Sequence, residues 1–72
     1  MPPEMVPVVS SNILEVGYEV SDQTLFVRFK GDSLYAYSDV PEDIYQGLLA
    51  AESVGKYLNQ NVKGTYSYRK VS

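Results

Sequence analysis

Chemistry in this chain has to come from Ser, Tyr, Lys, Arg and carboxylates, because the 72 residues include no Cys and no His. That absence excludes Cys nucleophiles, His general bases, Ser-His-Asp triads and Cys/His-bound zinc. Ser53-Val54-Gly55-Lys56 has the S-x-x-K spacing that puts a lysine amine beside a serine hydroxyl on one helical turn. The acyl enzymes that use it need an oxyanion hole, further motifs and a large second domain, which a chain this short has no room for. Ser53 therefore reads as a helix N-cap and Lys56 as an exposed cation, with one addition: free amides at a capped helix start can hold a phosphate or carboxylate. Gly55-Lys56 lacks the upstream glycine and the following Ser/Thr of a phosphate loop. The carboxylate pairs Glu42/Asp43 and Glu15/Glu19 fall at a helix start and on a strand face, where structural roles account for them. No cofactor is implied, and an enzyme is not expected.

Seven tyrosines against two Phe and no Trp are the second chemical feature. A tyrosine ring with its polar tip suits a half-buried sheet, and it suits stacking on a base or a partner equally well. Tyr35 and Tyr37, with Tyr66 and Tyr68, are read either as core or as an aromatic platform. Charge supplies the third feature. The first 52 residues hold nine acids against Arg28 and Lys30, a net −7, whereas residues 53 to 72 hold Lys56, Lys63, Arg69, Lys70 and no acid, a net +4; together they give −3. An acidic whole argues against broad nucleic-acid binding, yet the basic end leaves room for one compact anion site.

The elements that must position these residues follow from periodicity. Met1 to Val9, with Pro2, Pro3 and Pro7, predicts an extended arm outside the sheet interior. Ile13 to Val20 alternates, with Leu14, Val16, Tyr18 and Val20 on one face; Thr24 to Lys30 alternates with Leu25, Val27 and Phe29 together; Leu34 to Ser38 puts Tyr35 and Tyr37 on a common face. Gly31-Asp32 marks a tight turn between the last two. After Val40 the period becomes helical. Ser38 or Asp39 is the expected cap, Pro41 suits the first turn, and Ile44, Leu48 and Ala51 form a stripe widened by Tyr45 and Leu49. A second short helix runs from Ser53 to about Asn59, Gly64 makes a turn, and Thr65 to Val71 reads as a last strand. The expected fold is α+β, a small antiparallel sheet of three to four strands in the order β-β-β-α-α-β with two helices on one face, forming a single domain over residues 10–72 behind the 1–9 arm.

These residues, taken in order, resemble a known family. Ser10-Ser11-Asn12-Ile13, Val16-Gly17-Tyr18, Leu25-x-Val27-x-Phe29, Tyr35-Ala36-Tyr37 with Val40-Pro41, Ala51-x-Ser53-Val54-Gly55-Lys56-Tyr57-Leu58-Asn59 and Tyr66-x-Tyr68 resemble the KTSC domain over about residues 10 to 71. The family is named for the C-terminus of some lysyl-tRNA synthetases and also occurs as small stand-alone bacterial and phage proteins. It has no established activity, and RNA binding has been suggested from its company. The expectation is a non-catalytic binding module for RNA, a nucleotide or another anionic ligand. Its candidate contacts are Ser53, Lys56, Lys63 and Arg69 for charge, and Tyr35, Tyr37 and Tyr66 for stacking. The alternative is a protein-interaction or assembly domain, homo-oligomeric or with another protein, docking through Phe26 or the tyrosines. With no basic leader before an apolar run and no apolar stretch of membrane-spanning length, a cytoplasmic protein without membrane contacts is expected.

Overall fold

The computed structural model describes residues 3–72. Seven elements follow one another: β1 (Val6–Pro7), β2 (Ile13–Glu19), β3 (Thr24–Phe29), β4 (Leu34–Tyr37), α1 (Glu42–Ala50), α2 (Val54–Asn61) and β5 (Tyr68–Lys70). The class is α+β as expected, but the antiparallel sheet has five strands, in the order β1-β2-β3-β4-β5, rather than three or four. The additional strand comes from the arm. Val6 and Pro7 pair with Val16 and Glu15 at the sheet edge, the place where a residue without an N–H is tolerated. Met1 and Pro2, the start of the expected arm, lie outside the described residues.

Both helices cover one face. Leu48 of α1 and Val54 and Leu58 of α2, followed by Val62, meet Ile13, Val16, Leu25, Val27 and Tyr37 in the main core. Burying each large aliphatic chain contributes roughly 1.5–3 kcal/mol. The opposite face carries a smaller cluster, Phe26, Leu34 and Ala36, with Met5 of the arm lying against it. Phe26, on which a docking patch was expected, is thus only 8% exposed.

Strand β2 departs from simple alternation. Ile13 pairs with Phe29, but Glu15 pairs with Arg28, so Leu14 is an extra residue in a bulge. The bulge lets Ile13 and Val16, three apart, both face the core while Leu14 turns outward; Val20, just past the strand, is exposed as well. Thr24 to Phe29 keeps the expected faces, and Gly31 and Asp32 turn the chain into β4 with φ of 95° and 73°.

The expected cap of α1 is corrected. Neither Ser38 nor Asp39 caps it; the N-cap is Pro41, which makes no side-chain bond. Ser38 donates its amide to Ser67 and Val40 donates to Gln23, which ties this segment to the sheet and leaves both side chains short of the first helical amides. Of the apolar stripe, Leu48 is buried, Ile44 and Tyr45 pack at the core margin, and Leu49 stays exposed. Ala51 follows the helix as its extended C-cap. Helix α2 runs to Asn61, past the expected stop, and it crosses α1 where Gly47 has no side chain: a Cβ there would collide with the Tyr57 hydroxyl. The last strand is shorter than its sequence pattern, since the amides of Thr65 and Tyr66 both bond back to Val62 O at the end of α2.

Candidate functional site

Helix coverage of the sheet runs out over β4 and β5, and the side chains left there form a cleft of about 490 Å³ lined by Phe29, Ser33, Tyr35, Tyr37, Lys63, Gly64 and Tyr68. Strand alternation builds it. Tyr37 stands opposite Tyr68 and Tyr35 opposite Lys70 across the β4–β5 ladder, so all four project to the face the helices occupy. Phe29 ends β3 on that same face. The rings are in contact: Phe29 meets Tyr35 edge-on at 5.5 Å between centroids, and Tyr68 lies 5.5 Å from both Tyr35 and Tyr37. Such contacts stabilise each ring pair by about 0.5–1.5 kcal/mol beyond burial.

Within this wall the tyrosines divide by role. Tyr37 is 2% exposed and belongs to the core; Tyr35 is half-buried; Tyr68 is 62% exposed, leaning on the other two with the rest of its ring open. Burial raises the Tyr37 hydroxyl above its ordinary pKa of 10.0, with Tyr68 and Tyr35 beside it adding to the shift. The cleft's cation is Lys63, placed just after α2 by its Val62 C-cap, with its ammonium 5.1 Å above the centre of the Phe29 ring. Gly64 takes φ of 81° beside it and turns the chain toward β5.

The remaining candidates lie elsewhere. Ser53 caps α2, accepting the Lys56 amide at 3.3 Å. With Lys56 it lines a separate hollow of about 440 Å³ shared with Ser10, Asn12, Glu52, Gly55 and Asn59. Two segments that carry the family resemblance, far apart in sequence, meet here. Ser10 Oγ accepts the amides of Asn12 and Ile13, and a Cβ on Gly55 would come within 3.1 Å of Asn12 Oδ1. The Glu52 carboxylate on the rim opposes an anion, and the Ser53 hydroxyl already accepts an amide, so the arrangement serves as a cap and a packing joint. Tyr66 sits half-buried in the turn before β5 and lines a shallow depression with Thr65 and Ser67 that adjoins the cleft through the shared Gly64 and Tyr68. Arg69 is opposite Ala36 in the ladder and therefore points to the other sheet face.

The structure thus brings together Tyr35, Tyr37 and Lys63, leaves Tyr66 in the adjoining depression, and separates Ser53, Lys56 and Arg69 from them. Phe29 and Ser33 are absent from the sequence reading of the site, whereas Tyr68 is in it as part of the aromatic platform and not among the candidate contacts. For Phe29 the signal was present, an inward position at a strand end beside a glycine turn; for Ser33, a turn residue, there was none. Among the described residues no helix is long and apolar enough to cross a membrane.

Comparison with known proteins bears on the family and the fold. The chain is 46% identical over 59 residues to a protein of Tsukamurella paurometabola, covering 82% of this chain and 88% of the relative. It is 34% identical over 62 residues to the lysine–tRNA ligase of Nostoc punctiforme, 86% of this chain but 11% of the ligase. The crystal structure of a KTSC domain protein from Yersinia pestis superposes with a TM-score of 0.92 at 33% identity, covering 96% of this chain and 97% of that one. With the KTSC domain family model matching residues 9–66 as well, the chain belongs to the KTSC domain family.

Proposed function

We propose that this protein is a non-catalytic binding module that takes single-stranded RNA into the cleft between β4, β5 and the end of α2. The observation that carries this reading is the pairing of an aromatic wall, open at Tyr68, with a lysine at its end. Unpaired bases stack on aromatic side chains, and a nearby cation neutralises the phosphate attached to them. Aromatic clefts also take quaternary ammonium groups. Here Lys63 already supplies a cation over Phe29, which disfavours a second positive charge and favours an anionic ligand. The occurrence of related sequence within lysine–tRNA ligases supports an RNA ligand. A protein-docking role finds less support, since Phe26 lies under the arm.

Titration of a fluorescently labelled short oligouridine at low salt tests the reading. Saturable binding is expected, and Tyr68→Ala weakens it by roughly five- to a hundredfold, the range for one lost stacking contact. Absence of saturable binding, or full affinity in Tyr68→Ala, overturns it; a concentration-dependent dimer in sedimentation without RNA binding favours the assembly role instead.

A further inference from the structure

Resting on that reading, we infer that the cleft binds one base without discriminating among bases, and that the two phosphates flanking it are held by Lys63 and Lys70. The rings of Phe29, Tyr35 and Tyr68 form a continuous row with 5.5 Å between successive centroids. Lys63 stands over the Phe29 end. Lys70 stands opposite Tyr35, the middle ring of the row, across the β4–β5 ladder and two residues from Tyr68 on the same sheet face, so it flanks the row from the β5 edge. A base on the open part of Tyr68 therefore shares a sheet face with both lysines, Lys70 next to it along β5 and Lys63 across the row at Phe29.

Charge favours this course. Residues 53 to 72 contain no acid, and Asp32, next to Ser33 of the cleft, pairs with Arg28 at 3.6 Å. The wall also lacks the means to read a base edge. Besides the tyrosine hydroxyls its one polar side chain, apart from Lys63, is Ser33, whereas base discrimination uses paired donors and acceptors in fixed geometry. Stacking alone is tolerant of sequence, because every base has a π-face.

The test is the salt dependence of oligonucleotide binding by the full chain and its variants, each checked for folding by circular dichroism. Two phosphate contacts on a single strand give a slope of log K against log salt of about −1.4, or roughly sevenfold weakening between about 50 and about 200 mM salt. Lys63→Gln and Lys70→Gln each lower the slope to about −0.7, while Arg69→Gln, on the opposite face, leaves it unchanged. Oligouridine, oligoadenosine and oligocytidine are expected to bind within about threefold of one another. If RNA binds and Tyr68→Ala weakens it, but the lysine variants keep the parent slope or one base is preferred more than about tenfold, this inference fails and the RNA reading stands. If no oligonucleotide binds, both fail.

Discussion

Two tyrosines a few ångströms apart illustrate how one residue type serves two ends. Tyr37 and Tyr68 are cross-strand partners with rings 5.5 Å apart, yet one is core and the other surface. Truncating Tyr37 to Ala removes a fully buried ring and is expected to destabilise the domain by about 3–5 kcal/mol in chemical denaturation, with Tyr68→Ala costing far less. Ionisation separates the tyrosines too. Burial raises the hydroxyls of Tyr37, Tyr45 and Tyr18, and Glu42 adds to the effect at Tyr18, whose hydroxyl also donates to Val40 O. A folded-state pKa above the unfolded value of 10.0 means that the unfolded chain releases those protons first. The associated stability is complete below that pH and is lost as pH rises through the folded-state values. Melting temperature should accordingly fall as pH rises past about 10. A melting temperature that stays level from about pH 9 to about pH 11 would contradict this assignment.

At the level of elements, α2 links the two hollows. Its start is fixed by the Ser53 cap and the Ser10–Asn12 turn, and its end delivers Lys63 to the cleft. Eight residues span about 12 Å, so the two ends act on different parts of the surface. Ser53→Ala is expected to cost about 1 kcal/mol of stability in urea denaturation and to leave RNA affinity within twofold or so, because the cap positions the helix without touching the ligand. A large loss of affinity at unchanged stability would instead make the N-terminal end of α2 part of the binding surface.

For the molecule as a whole, the arm decides what the second sheet face presents. Met5 covers Phe26, Leu34 and Ala36, and Gly17 makes room for it: a Cβ at Gly17 would lie 2.6 Å from Met5 Sδ and 3.2 Å from Glu4 O. The arm is otherwise held by the two-residue β1 ladder and the Val8 amide bonded to Leu14 O. Gly17→Val should therefore lift the arm, exposing the Val8 amide to faster hydrogen exchange and the Phe26 face to a hydrophobic dye, while leaving the proposed RNA binding at the cleft on the other face unchanged. Unchanged exchange at Val8 would show that the arm is anchored by more than these contacts.

Local pattern was enough to specify the α+β class, the strand faces of β3 and β4, both helices and the Ser53 cap, because each depends on neighbours a few residues away and on a period of 2 or 3.6. Three features were beyond it. The bulge at Leu14 arises from matching β2 to Phe29 and Arg28 across the ladder, and β1 forms because an edge strand can accept a proline. The cleft depends on where the helices stop covering the sheet. Tyr35, Tyr37, Tyr66 and Tyr68 have the same side chain and similar spacing, and only the packing of α2 and the register of β5 make one buried, one a wall, one part of a turn and one open to solvent. The charge reading divides likewise: the sequence alone contains the basic end, but the alternation of β5 sends Lys70 toward the cleft and Arg69 away from it.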